Sequence, residues 1–134
     1  MKTYFYILGL LFVMSSCSDF LEENITDDII SLSSPIDGQI NLEGSQAFRW
    51  EELDGVTNYR MQIVSPSFNT IQSFVVDTEV GNSTRFDTTL LFGNYEWKVI
   101  GSNNGFTTES DIYLSLIHIP SPRDQRGSRM PSSA

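Results

Sequence analysis

Apolar and polar residues alternate with a period of two in three segments of the chain. These segments are Phe48–Glu51, Tyr59–Ile63 and Tyr95–Val99. Because successive side chains of a β-strand point to opposite faces of a sheet, the alternation predicts three strands that each bury one face. The residues predicted to form the core share the inward parity of these strands: Phe48, Trp50, Tyr59, Met61, Ile63, Tyr95, Trp97 and Val99.

Shorter β-prone segments, separated by turn residues, fill the rest of the chain between Ile29 and Tyr113. The weaker predicted strands are Ile30–Leu32, Ile40–Leu42, Ser73–Asp77, Thr84–Thr88 and Ser110–Tyr113. The predicted turns are Pro35–Gly38, Asp54-Gly55, Ser65-Pro66, Gly81-Asn82 and Asn103–Gly105. No stretch of ten or more residues between Cys17 and Tyr113 has a helical period. We therefore expect an all-β chain with a single sandwich of about seven strands over residues 29–113.

The order of particular residues along these strands resembles the fibronectin type III family. The residues that carry the resemblance are Pro35, Trp50, Asp54-Gly55 with Tyr59, Leu91 and Gly93 before Tyr95, and Asn103–Gly105. The resemblance covers Ile29–Tyr113 and implies an immunoglobulin-like sandwich. It also implies that Tyr95 is a corner tyrosine whose hydroxyl bonds to the preceding loop. The fold serves adhesion, spacing and ligand binding alike, so it does not choose among them.

The first sixteen residues are typical of a secretory signal peptide. Lys2 precedes the uncharged and mostly apolar run Tyr4–Met14, which the small residues Ser15 and Ser16 follow. The run has eleven residues, whereas a membrane-spanning helix needs about 20. Residues 1–16 are therefore expected to be removed from the mature protein.

Met14-Ser15-Ser16-Cys17 resembles the bacterial lipobox, in which a lipid is attached to the cysteine thiol and cleavage occurs just before it. The usual motif opens with Leu, so Met14 departs from it. A plain signal peptide followed by a chance cysteine is the alternative, but Cys17 is the chain's only cysteine. Two or more acyl chains on Cys17 would anchor the protein stably without a spanning helix.

An acidic segment follows Cys17 and includes Glu22, Glu23, Asp27 and Asp28. It resembles the surface-export signal of Gram-negative outer-membrane lipoproteins of polysaccharide-utilisation systems. A solvated tether over residues 17–28 is the simpler interpretation of the same charges. We expect an outer-membrane protein that faces the cell exterior, with a periplasm-facing anchor as the alternative.

The last twenty-one residues, 114–134, resemble translated sequencing-adapter DNA. Leu114–Ile119 back-translates as CTG TCT CTT ATA CAC ATC, which resembles a transposon mosaic end, and Ser128–Ala134 resembles a flow-cell adapter. A natural disordered tail rich in Ser, Pro and Arg is the alternative. The adapter interpretation predicts that the natural protein continues differently after Tyr113, and that residues 114–134 are disordered. Sequencing the natural locus across this position tests it.

Charge and residue counts exclude several classes of function. The chain has 17 acidic and 8 basic residues and a net charge of −9, which argues against a nucleic-acid partner. With Cys17 lipidated and His118 in the adapter-like tail, residues 18–113 contain neither Cys nor His. A Ser–His–Asp triad, a Cys–His pair or a His-based metal site is therefore impossible there. We predict no enzyme activity, catalytic residue, cofactor or metal.

Some side chains nevertheless permit a functional interpretation. Glu51, Glu52 and Asp54 lie in a turn region, where solvated carboxylates are a simpler explanation than catalysis. We assign Trp50, Tyr59, Tyr95 and Trp97 to the structural core rather than to a sugar-stacking platform. The phenylalanines nearer loops could stack on a sugar if exposed: Phe68, Phe74, Phe92 and Phe106. Asp87-Thr88-Thr89 resembles an O-glycosylation acceptor of such lipoproteins.

Three functions remain open at this point. The preferred one is a non-catalytic, lipid-anchored cell-surface domain that acts as the spacer or interaction module of a longer lipoprotein. The second is the amino-terminal domain of an outer-membrane glycan-binding lipoprotein, and the third is an accessory domain of a secreted hydrolase. In each case the membrane is the predicted partner through Cys17, and any glycan or protein partner would bind domains further along the natural chain.

Overall fold

A computed structural model describes residues 22–118, which form nine strands and no helix. The strands are β1 (Leu32–Ser34), β2 (Gln39–Asn41), β3 (Ser45–Trp50), β4 (Asn58–Pro66), β5 (Ile71–Gly81), β6 (Arg85–Thr89), β7 (Gly93–Ser102), β8 (Thr107–Glu109) and β9 (Tyr113–Ile117). The predicted signal peptide, Cys17 and residues 119–134 lie outside the described residues. In the described part of the chain, no helix is long and apolar enough to cross a membrane.

The strands form two sheets that pack face to face. The smaller sheet has the order β1-β3-β6, and the larger has the order β2-β9-β7-β4-β5, with β8 paired to β7. All pairings between strands are antiparallel except that of β2 with β9. The prediction of an all-β sandwich is confirmed, with nine strands in place of about seven.

The alternating strands supply the core between the sheets. All eight residues of the predicted inward set are buried, and Ile30, Leu90 and Ile117 join them in one cluster. The ring of Phe48 meets that of Trp97 edge to face at 4.9 Å, and Trp50 meets Tyr59 in the same manner at 5.8 Å. Each such pair contributes roughly 0.5–1.5 kcal/mol beyond the area that it buries.

The last strand lies further along the chain than predicted. Ser110 makes an isolated bridge to Ile30, and the strand expected over Ser110–Tyr113 instead runs as β9 from Tyr113 to Ile117. The prediction of disorder from Leu114 onward is therefore wrong for residues 114–117. Tyr113 fixes this register, because its ring packs edge to face on Trp97 at 5.9 Å. The adapter origin of these residues stays a prediction.

The predicted turn at Ser65-Pro66 is also displaced, because both residues belong to the end of β4. Proline is tolerated at a strand end, where few ladder hydrogen bonds are lost. Ser67 and Thr70 form the turn that follows: their hydroxyl groups share a hydrogen bond of 2.9 Å.

Candidate functional site: the two poles of the sandwich

Residues 22–28, the first that the structure describes, lie at one end of the sandwich, and residues 116–118, the last described, lie at the other. We call the first end the entry pole, formed by residues 22–28 and the loops 53–56 and 103–106. The exit pole is formed by residues 40–44, 90–93 and 116–118. β7 connects the two, because Ser102 pairs with Asn58 beside the entry pole and Gly93 pairs with Ile117 beside the exit pole.

Residues 22–28 are packed onto the entry pole and do not continue the tether predicted over 17–28. Ile25 is fully buried. A Cβ atom on Gly55 would lie 2.8 Å from Cγ2 of Ile25 and 2.9 Å from Oε2 of Glu23. Gly55 also has a φ of +85°, which favours glycine. The Asp54-Gly55 turn therefore closes over Ile25, and only residues before Glu22 remain available as a tether.

Asn103 holds the same segment by polar contacts. Its Nδ2 donates to the carbonyl of Glu23 at 2.8 Å and to that of Gly55 at 2.9 Å. Its Oδ1 accepts from the backbone amides of Gly105 and Phe106, which fixes the loop itself. One side chain thus joins all three parts of the entry pole.

Two further contacts secure the ends of the segment. The amide of Asn104 donates to Oε1 of Glu22 at 3.3 Å, and the hydroxyl of Thr108 donates to the carbonyl of Asp28. The turn pattern around Asn103 does not by itself predict a contact with Ile25. Two features of the sequence point to it: an asparagine two residues before a glycine favours a turn closed by the asparagine side chain, and Ile25 is a lone apolar residue between acidic ones.

The exit pole exposes apolar side chains where the entry pole buries one. Four of them form what we call the exit patch: Ile40, Leu42, Leu91 and Phe92. Ile40 lines a shallow groove with Phe92, Leu116 and Ile117, and the ring of Phe92 lies 5.5 Å from that of His118. The patch is therefore continuous with the end of β9.

Tyr95 fixes the loop that carries this patch. Its hydroxyl donates to the carbonyl of Leu91 at 2.9 Å, the bond expected of a corner tyrosine. Burial raises the pKa of Tyr95. Leu90 is buried next to it. Leu91 and Phe92 are therefore exposed on a loop that Tyr95 and Leu90 hold in place.

The candidate carboxylates of the described residues lie at the surface or bind backbone amides. Glu51, Glu52 and Asp54 are exposed, and Asp37 uses Oδ1 to accept from the amide of Leu114 at 2.7 Å. Within residues 22–118, no three His, Cys, Asp or Glu side chains come together as a metal site would require. Asp87 of the glycosylation-like tripeptide is bound by Arg85 at 2.8 Å, which lowers the pKa of its carboxyl group.

The aromatic residues divide into buried and exposed groups. Trp50, Tyr59, Tyr95 and Trp97 all lie in the core. Phe68 is half-buried, with the ammonium of Lys98 5.1 Å from its ring centroid and its amide bonded to Glu96. Phe106 is also half-buried, whereas Phe74 and Phe92 are more than half exposed. Only these last two of the four loop phenylalanines present a ring that could stack on a sugar.

Comparison with known proteins defines the fold. No protein-family model matches the chain, and no curated protein matches it. Its structure is similar to the "Solution structure of the fibronectin type-III domain of human fibronectin type III domain containing protein 3". The TM-score is 0.50 at 14% sequence identity, over 89% of this chain and 100% of that chain. The chain therefore has a fibronectin type III-like β-sandwich, which is the fold that the sequence pattern predicted.

Proposed function

We propose that this chain is the lipid-anchored, non-catalytic spacer or interaction domain of a longer surface lipoprotein. The observation that carries the proposal is the fibronectin type III-like sandwich with residues 22–28 docked on its entry pole, directly after the predicted anchor. A folded domain held this closely to its amino-terminal segment suits a spacer or interaction role next to a lipid anchor. The anchor is Cys17, placed at the end of the apolar run by the lipobox-like residues.

Lipid attachment is tested by metabolic labelling with a palmitate analogue in a Gram-negative host. The wild-type chain should take up the label and partition into detergent, and Cys17→Ser should do neither. Equal labelling of the two proteins would overturn the anchor. Protease treatment of intact cells then tests exposure, since a surface-facing domain is cleaved without permeabilisation and a periplasmic one is not.

A glycan-binding role is the second candidate, and the exposed rings of Phe74 and Phe92 favour it. Exposed aromatic faces can stack on the apolar face of a sugar ring. A glycan-array screen of residues 22–118 tests this directly. A reproducible signal that Phe74→Ala or Phe92→Ala removes without changing the melting temperature would replace the spacer role by a binding one.

A further inference from the structure

Because Glu22 is already fixed to the sandwich, the connection from Cys17 to the folded domain is short. Glu22 accepts a hydrogen bond from Asn104, and the carbonyl of Glu23 accepts one from Asn103. Five residue steps separate Cys17 from Glu22. Fully extended, they reach at most about 18 Å.

The sandwich itself is longer than this connection. β7 runs from the exit pole to the entry pole over ten residues, which corresponds to roughly 33 Å at the rise of a β-strand. An inverted domain, with its exit pole at the bilayer, would need a connection at least as long as the sandwich. The chain does not provide one.

We infer that the entry pole faces the membrane, within about 18 Å of the lipid attachment point, and that the exit patch points away from it. This inference rests on the proposed lipid anchor at Cys17. It assigns residues 22–28, 53–56 and 103–106 as the membrane-facing surface.

The entry pole is acidic, so it is not expected to bind the membrane itself. The short connection to Cys17 would hold it near the bilayer. Five carboxylates lie on the entry pole, and its residues include no Lys or Arg: the carboxylates are Glu22, Glu23, Asp27, Asp28 and Asp54. Anionic headgroups would repel this surface over a distance of about 8 Å at physiological salt. The separation of the pole from anionic vesicles should therefore shrink as salt is added, and that from zwitterionic vesicles should not.

The orientation can be measured with the lipidated protein in phosphatidylcholine vesicles that contain paramagnetic headgroups. Lipidation uses the only cysteine of the chain, so one introduced cysteine carries a unique label. Thr107→Cys places the label beside the entry pole and Leu91→Cys at the exit patch, both at exposed positions. We expect strong quenching at position 107 and several-fold weaker quenching at position 91. Equal quenching at both positions, or the reverse order, would overturn the inference.

Two controls separate this inference from the anchor on which it rests. If Cys17 carries no lipid, the protein does not float with the vesicles and neither label is quenched. If the protein floats but its labels are quenched equally, the anchor stands and the orientation fails. Insertion of twenty Gly/Ser residues after Ser18 adds about 25 Å of root-mean-square reach and should diminish the difference between the two labels.

Release of the docked segment gives a sharper test on the natural connection. Asn103→Ala removes the bonds to Glu23 and Gly55 and loosens residues 22–27, while Thr108 still holds the carbonyl of Asp28, so the connection can lengthen to at most eleven residue steps. Quenching should then become more alike at the two positions. Asn104→Ala is the matched control, because Asn104 contacts the segment through its backbone amide. A folded Asn103→Ala protein with the wild-type difference would contradict the role of the docked segment.

Discussion

Aliphatic side chains meet opposite environments at the two poles of the sandwich. Ile25 at the entry pole is fully buried, whereas Leu91 at the exit pole is 78% exposed. The path of the chain explains both exposures. Residues 22–28 cross the entry pole and bury Ile25 there, whereas nothing within residues 22–118 covers Leu91. The hydrophobicity of a residue thus does not decide its burial here. What decides it is whether another segment of the chain passes over it.

The largest loss of stability is expected in the core between the two poles. Trp97→Ala should destabilise residues 22–118 by roughly 3–5 kcal/mol, because it empties the centre of the larger sheet's inner face. Domains of this size have a total stability of about 5–15 kcal/mol, so urea denaturation should show partial or complete unfolding at 25 °C. The exposed aromatic Phe74 provides the control, and Phe74→Ala should leave the midpoint nearly unchanged.

Trp97→Phe sharpens this measurement. The indole Nε1 of Trp97 is buried and has no hydrogen-bond partner among the described residues. Phenylalanine removes that unpaired donor and keeps most of the ring, so it should cost much less than alanine. A loss as large as that of Trp97→Ala would show that the indole shape, rather than a large apolar ring, is required.

Ile25→Ala tests the entry pole itself. Truncation of a buried isoleucine costs roughly 2–5 kcal/mol, toward the lower end where the neighbouring segment can relax. Residues 22–28 are terminal to the sandwich and can move, so we expect about 2 kcal/mol. Leu91→Ala at the exit pole is the matched variant and should stay within about 0.5 kcal/mol of the wild type. If urea denaturation gave the same loss of unfolding free energy for Ile25→Ala and Leu91→Ala, the two poles would not differ in how deeply they bury these side chains.

The strands that the sequence predicted well are those whose pattern is local. Tyr59–Ile63 and Tyr95–Val99 alternate strictly, and a period of two needs no knowledge of the partner strand to be recognised. Ile25 has no such pattern. Its burial depends on the turn at Gly55 and on Asn103, which are far from it in sequence, so local reasoning assigned it to a tether.

The shift of the last strand has a related cause. Residues 110–113 and 113–117 are both β-prone, and the choice between them is made by contacts with distant residues. Tyr113 packs on Trp97, and the amide of Leu114 is bound by Asp37. The inward face of β9 consequently contains Ser115, which is fully buried, between Tyr113 and Ile117. A rule that places leucine inward would have selected the wrong register.

Asn103→Ala tests the polar half of the entry pole. The substitution removes two donated bonds and leaves the carbonyls of Glu23 and Gly55 without this partner. A loss of about 1–3 kcal/mol is expected for such groups when they stay buried, and less if water reaches them. Hydrogen exchange should localise the effect to residues 22–28 and 103–106. Asn104→Ala should leave both the stability and the exchange pattern unchanged.

The smallest expected effect on stability lies at the exit patch and completes the comparison. Phe92 is 67% exposed, so Phe92→Ser removes little buried area and should change the free energy of unfolding by no more than about 0.5 kcal/mol. The loop keeps its position, because Tyr95 holds it through the carbonyl of Leu91. The binding of a hydrophobic dye by the folded domain should nevertheless fall, since Phe92 contributes the largest side chain of the patch. A destabilisation like that of Ile25→Ala would mean that Phe92 is buried in solution, and the exit pole would then be closed like the entry pole.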